Sequence, residues 1–149
     1  SITDSLTNLF NQRHFYSRLK EEVVRANRQA RNLTLMLMDL DEFKAYNDAH
    51  GHLAGDDILR SVGKIIQNSI RDGVDSGYRY GGDEFAVILI EADLDIAKEI
   101  GRRIQDSLLE LENMSLSLGY SKFAEKMSAK DLVSAADNDL YDSKKNNHH

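Results

Sequence analysis

The sequence predicts an α+β domain: a central, mainly antiparallel sheet of about five strands, flanked by helices, with an adjacent-glycine turn on a β-hairpin. Three observations carry that prediction. Helix-period and strand-period stretches alternate in the order α, β, α, β-hairpin, α, β, α. Gly81-Gly82 separates the strand-like runs Gly77-Tyr78-Arg79-Tyr80 and Phe85-Ala86-Val87-Ile88-Leu89-Ile90, which makes those runs antiparallel neighbours. A chain of 149 residues with no internal repeat or low-complexity tract is one domain with room for a real core. Strands joined in this way give an antiparallel sheet with packed helices, not a doubly wound one.

Each element has its own signal. Residues 1–10 begin without a linker, as expected of a domain (residues 1–147) cut from a longer protein. From Asn11 onward, Phe15, Leu19 and Val23 recur every four residues between charges, an amphipathic helix to about Arg31. Leu33-Thr34-Leu35-Met36-Leu37-Met38 is a nearly continuous apolar run suited to a central strand covered on both faces. It ends in Asp39-Leu40-Asp41, followed by Glu42-Phe43-Lys44 and Asn47-Asp48, which carry no assigned element. After Gly51-His52 and Gly55-Asp56-Asp57 a second helix runs to about Asp72, burying Ile58, Leu59, Val62, Ile65, Ile66 and Ile70. After the hairpin, a third helix from about Asp93 to Glu112 turns Ile96, Ala97, Ile100, Ile104 and Leu108 inward. Met114-Ser115-Leu116-Ser117-Leu118 alternates with period two, a strand with one buried face. Ser128-x-x-Asp131 resembles a capping box and starts a last helix to about Lys145. His148 and His149 read as the remains of a purification tag.

Composition narrows the function. A net charge of −6 argues against a general nucleic-acid binder, which shows a basic footprint. It leaves a nucleoside triphosphate open, because a divalent cation can supply the missing positive charge. There is no cysteine, hence no disulfide or thiolate site. No apolar run approaches the roughly 18 residues of a membrane span, so no membrane contact by this domain is expected.

The acidic residues fall in two places. Asp83 and Glu84 sit at the root of the glycine turn, whose two glycines are expected at φ > 0 and leave the backbone open to a ligand. A bare Gly-Gly-Asp-Glu reads equally as a solvated acidic hairpin; the second acidic element changes that. Asp39 and Asp41 are two apart at the carboxyl end of a buried strand and share one face. If the hairpin pairs beside that strand, Asp39 and Asp83 approach each other. Oxygen ligands of this kind suit Mg²⁺, and paired carboxylates on neighbouring strands are the equipment of a two-metal phosphoryl-transfer site. Ca²⁺ binding and a solvated acidic edge remain open at this point.

The assembled motifs resemble the GGDEF family, the diguanylate cyclases, over almost the whole chain. The resemblance rests on Asp4-x-Leu6-Thr7, Asp39-Leu40-Asp41-x-Phe43-Lys44 and Asn47-Asp48-x-x-Gly51-His52-x-x-Gly55-Asp56. Arg79-Tyr80-Gly81-Gly82-Asp83-Glu84-Phe85, Ser117-Leu118-Gly119 and Ala136-Asp137-x-x-Leu140-Tyr141-x-x-Lys144 complete it. It implies a nucleotidyl-cyclase-like fold and condensation of two GTP molecules into cyclic di-GMP, with release of two pyrophosphates. Asp39, Asp83 and the Leu40 carbonyl would hold two Mg²⁺ (or Mn²⁺) ions, with Glu84 assisting. Asn47 and Asp56 would read guanine, and Phe43, Lys44 and Lys144 would bind the phosphates. Gly51 and Gly55 would turn the chain into the second helix, and Asp137 would anchor the Asp4-Leu6-Thr7 segment. The product's symmetry implies two chains facing each other, each with one GTP. An upstream sensor domain and a cytoplasmic location, in a parent that is membrane-anchored or not, are also implied. A non-catalytic GGDEF module that binds GTP or mediates dimerisation is the alternative.

Three departures from the family pattern stand out, the plainest being Gln12 in place of a frequent arginine. Asn8 replaces a usual glycine and is the best substitute in a left-handed conformation. The product-inhibition motif Arg-x-x-Asp falls on Asp72-Gly73-Val74-Asp75, so Asp75 is present but a carboxylate replaces the arginine, with Arg71 one position off. The inhibitory site therefore reads as degenerate, with Arg102 or Arg103 left as a secondary contact.

Overall fold

The computed structural model describes residues 1–146; the terminal pair read as a tag lies outside them. In chain order the elements are α1 (Gln12–Gln29), β1 (Leu33–Leu40), α2 (Phe43–His50), α3 (His52–Ser69), β2 (Ser76–Arg79), β3 (Glu84–Ile90), α4 (Leu94–Glu112), β4 (Leu116–Lys122) and α5 (Ala129–Asn146). The four strands form one sheet in the order β2-β3-β1-β4, with every neighbouring pair antiparallel. From β1 to β4 the connectivity is the split β-α-β-β-α-β arrangement.

The α+β architecture is as expected, but the sheet has four strands and not five. The N-terminal segment does not extend far enough to add one. It folds back on itself at Asn8, whose φ of 62° is left-handed. Its one backbone pairing with the sheet edge, among the described residues, is a parallel bridge from Phe10 to Tyr78.

Two cores lie on opposite faces of the sheet, with no buried residue in common. Met36, Met38, Leu40, Phe85, Val87 and Leu89 face α3 and α4. Leu33, Leu35, Leu37, Ala86 and Ile88 face α1 and α5. This alternation is the period-two geometry of strands buried on both sides. Ile96, expected inside, is instead 38% exposed near the start of α4.

Helix α3 stops at Ser69, a few residues before the expected end. There the Arg71 N–H donates to the Asp75 carboxylate and Gly73 turns the chain at φ 73°. The expected capping box closes reciprocally, Ser128 N–H to Asp131 Oδ2 and Asp131 N–H to Ser128 Oγ, both at 3.0 Å.

Candidate active site

Strand pairing places the acidic groups together at the carboxyl end of β1. Asp39 lies opposite Glu84 on β3 and opposite Ser117 on β4. Opposed residues share a face, here the α5 side. The Leu40 N–H donates to the Asp83 carbonyl at 3.2 Å, which sets the hairpin loop beside the strand end.

The loop is Tyr80 to Asp83, and the N–H groups of Tyr80 and Gly81 both donate to the Glu84 carbonyl, at 2.8 and 3.1 Å. Among the described residues only Gly51 and Gly73 are glycines with positive φ, so Gly81 and Gly82 are not the left-handed pair expected. A four-residue loop closes without left-handed residues. At Gly81 a Cβ would lie 2.5 Å from Glu84 Oε1, so any side chain there would make the Glu84 carboxyl turn aside. At Gly82 a Cβ would meet no protein atom within 4 Å.

Arg79 holds the loop from beneath. Its Nε donates to the Gly81 carbonyl at 3.2 Å and its Nη2 to the Gly82 carbonyl at 2.9 Å. Nη1 reaches Asp4 Oδ1 at 3.3 Å. The Asp4 carboxylate also accepts from the Thr7 N–H and hydroxyl, at 3.0 and 2.8 Å. Burial works to raise the Asp4 pKa, but the Thr7 hydrogen bonds and Arg79 outweigh it and hold it low. Arg79 therefore ties the Asp4-Leu6-Thr7 segment to the sheet, and among the described residues Asp137, expected in that role, makes no hydrogen bond to it.

The electrostatics are those of crowded carboxylates. Burial pushes the Asp39 carboxyl above its usual range; a Lys144 hydrogen bond opposes this, while the charges of Asp83 and Asp41 add to it. Glu84 is raised by burial, then by Asp39 and Asp83. Lys144, on the last turn of α5, bonds Asp39 Oδ2. Asp39 Oδ1 is buried with no hydrogen-bond partner, which is costly for an anionic oxygen. Asp41, on the same face, is occupied elsewhere: it accepts from the Ser115 and Ser117 hydroxyls at 2.7 and 2.6 Å.

Helix α2 had no signal assigned, and it carries Phe43, Lys44 and Asn47. It follows Glu42, held left-handed at φ 57° with no side-chain cap. The Phe43 side chain is buried in the α3–α4 core, so only its backbone N–H at the helix N-terminus is free for an anion. Lys44 is exposed. Asn47 Oδ1 is the second buried oxygen without a partner. It rests against the α-carbon of Gly55, where a Cβ would lie only 1.8 Å away. Gly55 thus sits inside α3 and serves the approach of Asn47, whereas Gly51, at φ 88°, makes the turn between the two helices. Asp56 follows on α3, half-buried.

The residues of the degenerate inhibitory motif lie elsewhere. Asp72 is exposed on the turn after α3. Asp75 is gripped by Arg71, whose Nε and Nη2 donate to its two oxygens at 2.9 and 2.7 Å. Arg103 Nη2 donates to the Ser69 carbonyl at 2.7 Å.

Asp4, Arg79 and Ser117 stand in the motifs but carry no assigned role there, and Ser115 has no functional signal beyond its place in a strand.

Among the described residues no three histidine or carboxylate side chains cluster as a complete metal site. The available set is two carboxylates, Asp39 and Asp83, with the Leu40 carbonyl. An unpartnered Asp39 oxygen and all-oxygen donors fit a hard divalent cation that keeps places for water and phosphate.

Comparison with known proteins agrees with this arrangement. The family model described as "Diguanylate cyclase, GGDEF domain" matches residues 1–149. Diguanylate cyclase DgcS of Shewanella oneidensis is 39% identical over 150 residues; the match covers 97% of this chain and 50% of that protein. The chain thus spans about half the length of this relative. Among solved structures, diguanylate cyclase SiaD of Pseudomonas aeruginosa, crystallised with its activator SiaC, superposes with a TM-score of 0.93 at 31% identity, covering 98% of this chain and 59% of that one. The GGDEF domain of DgcB from Caulobacter crescentus, in complex with c-di-GMP, gives 0.91 at 27% identity, covering 98% and 91%. With the motif residues gathered at one end of the sheet and the match running the length of the chain, the protein belongs to the diguanylate cyclase GGDEF domain family.

Proposed function

We propose that this domain condenses two GTP molecules into cyclic di-GMP with release of two pyrophosphates. The observation that carries the reading is the buried, unpartnered Asp39 Oδ1 beside Asp83 and Glu84. Asp39, Asp83 and the Leu40 carbonyl would hold Mg²⁺ or Mn²⁺, two ions per half-site. Such ions polarise a phosphoryl oxygen and ease deprotonation of an attacking hydroxyl.

The chain's own residues bind and orient. The exposed N-terminus of α2 offers the Phe43 and Lys44 N–H groups to phosphate. The Lys44 and Lys144 ammonium groups add point charges. Asn47, with its unpaired oxygen, and Asp56 recognise guanine. The Asp56 carboxylate accepts from the N1–H and N2 donors that adenine lacks, and a wrong base leaves buried polar groups unpaired. Glu84 lies across the strand pair from Asp39, positioned to assist the ions or the attacking hydroxyl.

One chain supplies one half-site, so the two-fold symmetric product requires a second copy. In this reading the domain serves a longer cytoplasmic or membrane-anchored protein with an upstream sensor, in keeping with its covering only half of its relative DgcS. Among the described residues no helix is long and apolar enough to cross a membrane.

Incubation with GTP, ATP and Mg²⁺, with products identified by mass, tests the proposal. Cyclic di-GMP from GTP alone is expected. A mixed product would remove Asp56 as the base-reading acid, and no product from a correctly folded dimer would leave a GTP-binding or dimerising module.

A further inference from the structure

We propose that Lys144 is an exchangeable counter-ion: it occupies an oxygen of the cation site at Asp39 and passes to the nucleotide's phosphates when the cation binds. The inference deepens the metal reading above and rests on it.

The starting observation is that one Asp39 oxygen is taken and the other is not. Oδ2 accepts from Lys144 Nζ, while Oδ1 is buried without a partner. The two side chains differ in exposure, Lys144 at 35% and Asp39 at 15%. The carboxylate is fixed at the end of a strand bonded on both sides, whereas the ammonium rides on a flexible four-carbon stem.

The base of that stem cannot move far. Helix α5 is seated on β4 with no side chain between them at Gly119, where a Cβ would lie 2.3 Å from the Leu140 nitrogen and 2.4 Å from the Ala136 carbonyl oxygen. Ser121 Oγ donates to the Leu132 carbonyl, and the Tyr120 N–H to Asp139 Oδ2, at 2.7 and 2.8 Å. The helix therefore presents Lys144 at a fixed point, and only the side chain exchanges partners.

A divalent cation at Asp39 and Asp83 competes with the ammonium for the same oxygens and repels it. Burial disfavours the charged lysine, but its bond to Asp39 and the charges of Asp39, Asp41 and Asp83 outweigh that, and the cation neutralises their field. The released Nζ lies next to the place where phosphates accompany the cation. One lysine thus opposes the cation when it comes alone and favours it when it arrives with nucleotide. Cation and nucleotide binding become coupled through one side chain, and by linkage the coupling is reciprocal.

The experiment is a Mn²⁺ titration, read from the paramagnetic signal of free Mn²⁺, with and without a non-hydrolysable GTP analogue. The proteins are the unaltered chain, Lys144→Met, Lys144→Gln and Asp39→Asn, each checked for fold by circular dichroism. Without nucleotide, both Lys144 variants are expected to bind Mn²⁺ about five- to tenfold more tightly than the unaltered chain. The tightening of Mn²⁺ by the analogue is expected to shrink by a similar factor in both. Asp39→Asn is expected to lose the binding. Unchanged or weaker Mn²⁺ binding in the Lys144 variants, with loss in Asp39→Asn, overturns the exchange and leaves the metal reading intact. Unchanged binding in Asp39→Asn overturns both.

Discussion

Substituting Asp75 by alanine should destabilise the domain without touching the candidate active site. The Asp75 side chain is fully buried at 0% exposure, and Arg71 beside it is 35% exposed. The carboxylate accepts from Arg71 Nε and Nη2 and from two backbone N–H groups, Arg71 at 3.0 Å and Ile90 at 3.3 Å. Arg71 Nη2 also donates to the Ile90 carbonyl at 2.8 Å, so the pair ties the α3–β2 turn to the end of β3. Removing one partner of a buried pair costs about 3–5 kcal/mol. Arg71 can recover some hydration, which puts the expected loss nearer about 2–3 kcal/mol. For a domain of this size that lowers the melting temperature by roughly 5–10 °C. Urea unfolding followed by circular dichroism measures it, with the slope unchanged if the folded state is intact. Arg71→Ala and the double variant complete a cycle whose coupling should exceed about 1 kcal/mol. A loss below about 0.5 kcal/mol, the range of ordinary surface changes, would refute the reasoning.

Four further outcomes follow from the site. Asp39→Ala and Asp83→Ala should each abolish cyclic di-GMP synthesis with the fold retained; near-normal turnover in either would remove it from the cation site. Glu84→Gln should be more stable than the natural chain at pH 7. The folded Glu84 pKa lies above its ordinary 4.5, so the stability it contributes is full below 4.5 and lost as pH rises through the raised value. The advantage of glutamine should therefore close on acidification to about pH 4, and a pH-independent difference would contradict the burial and carboxylate crowding. Arg79→Ala should lower kcat/KM about a hundredfold by releasing the loop carbonyls, with Arg79→Lys failing to restore it because lysine lacks the fork; full activity in the lysine variant would refute the tether. Calorimetric titration should show weak binding of cyclic di-GMP to the natural chain and a ten- to hundredfold gain (roughly, for one restored charge-assisted contact) in Asp72→Arg. Submicromolar binding to the natural chain would show a product site that does not use residue 72.

Legibility in the sequence followed the range of the interactions. Helices α1, α3 and α4 show their period over many turns, α5 opens on a capping box, and β1 and β3 are continuous apolar runs, so their positions could be read directly. Asn8 could be read too, since a left-handed φ is a local property, and it stands at 62°. Helix α2 could not: it has only 8 residues, too few turns for a stripe to emerge, and Gly51 separates it from α3. Strand β4 was expected to end at Leu118 but runs from Leu116 to Lys122. Gly119 conceals its second half, because the side that should show an apolar residue is filled by the backbone of α5. The two-glycine hairpin suggests a left-handed turn from local rules, yet neither glycine has positive φ, and Gly81 lies close against the Glu84 carboxyl. Arg79 meets Asp4 across 75 positions of sequence, and no local pattern encodes such a pairing. The Arg71–Asp75 clamp stands one position off the Arg-x-x-Asp spacing, and it is the turn at Gly73 that brings the two side chains together.

The separation of the two cores bears on how the domain comes apart. The α3–α4 layer and the α1–α5 layer are joined through the sheet and through the N-terminal segment, where Leu9 packs into one core and Phe10 against the other, so each can loosen largely as a unit of its own. The candidate site draws on both: Lys144 comes from one layer, Asn47 and Asp56 from the other, and the carboxylates from the sheet. It is complete only while both layers are closed, and its lifetime is set by whichever opens more readily. Amide hydrogen exchange at the ends of α5 and α3 thus reports how long the whole constellation persists, which global unfolding does not.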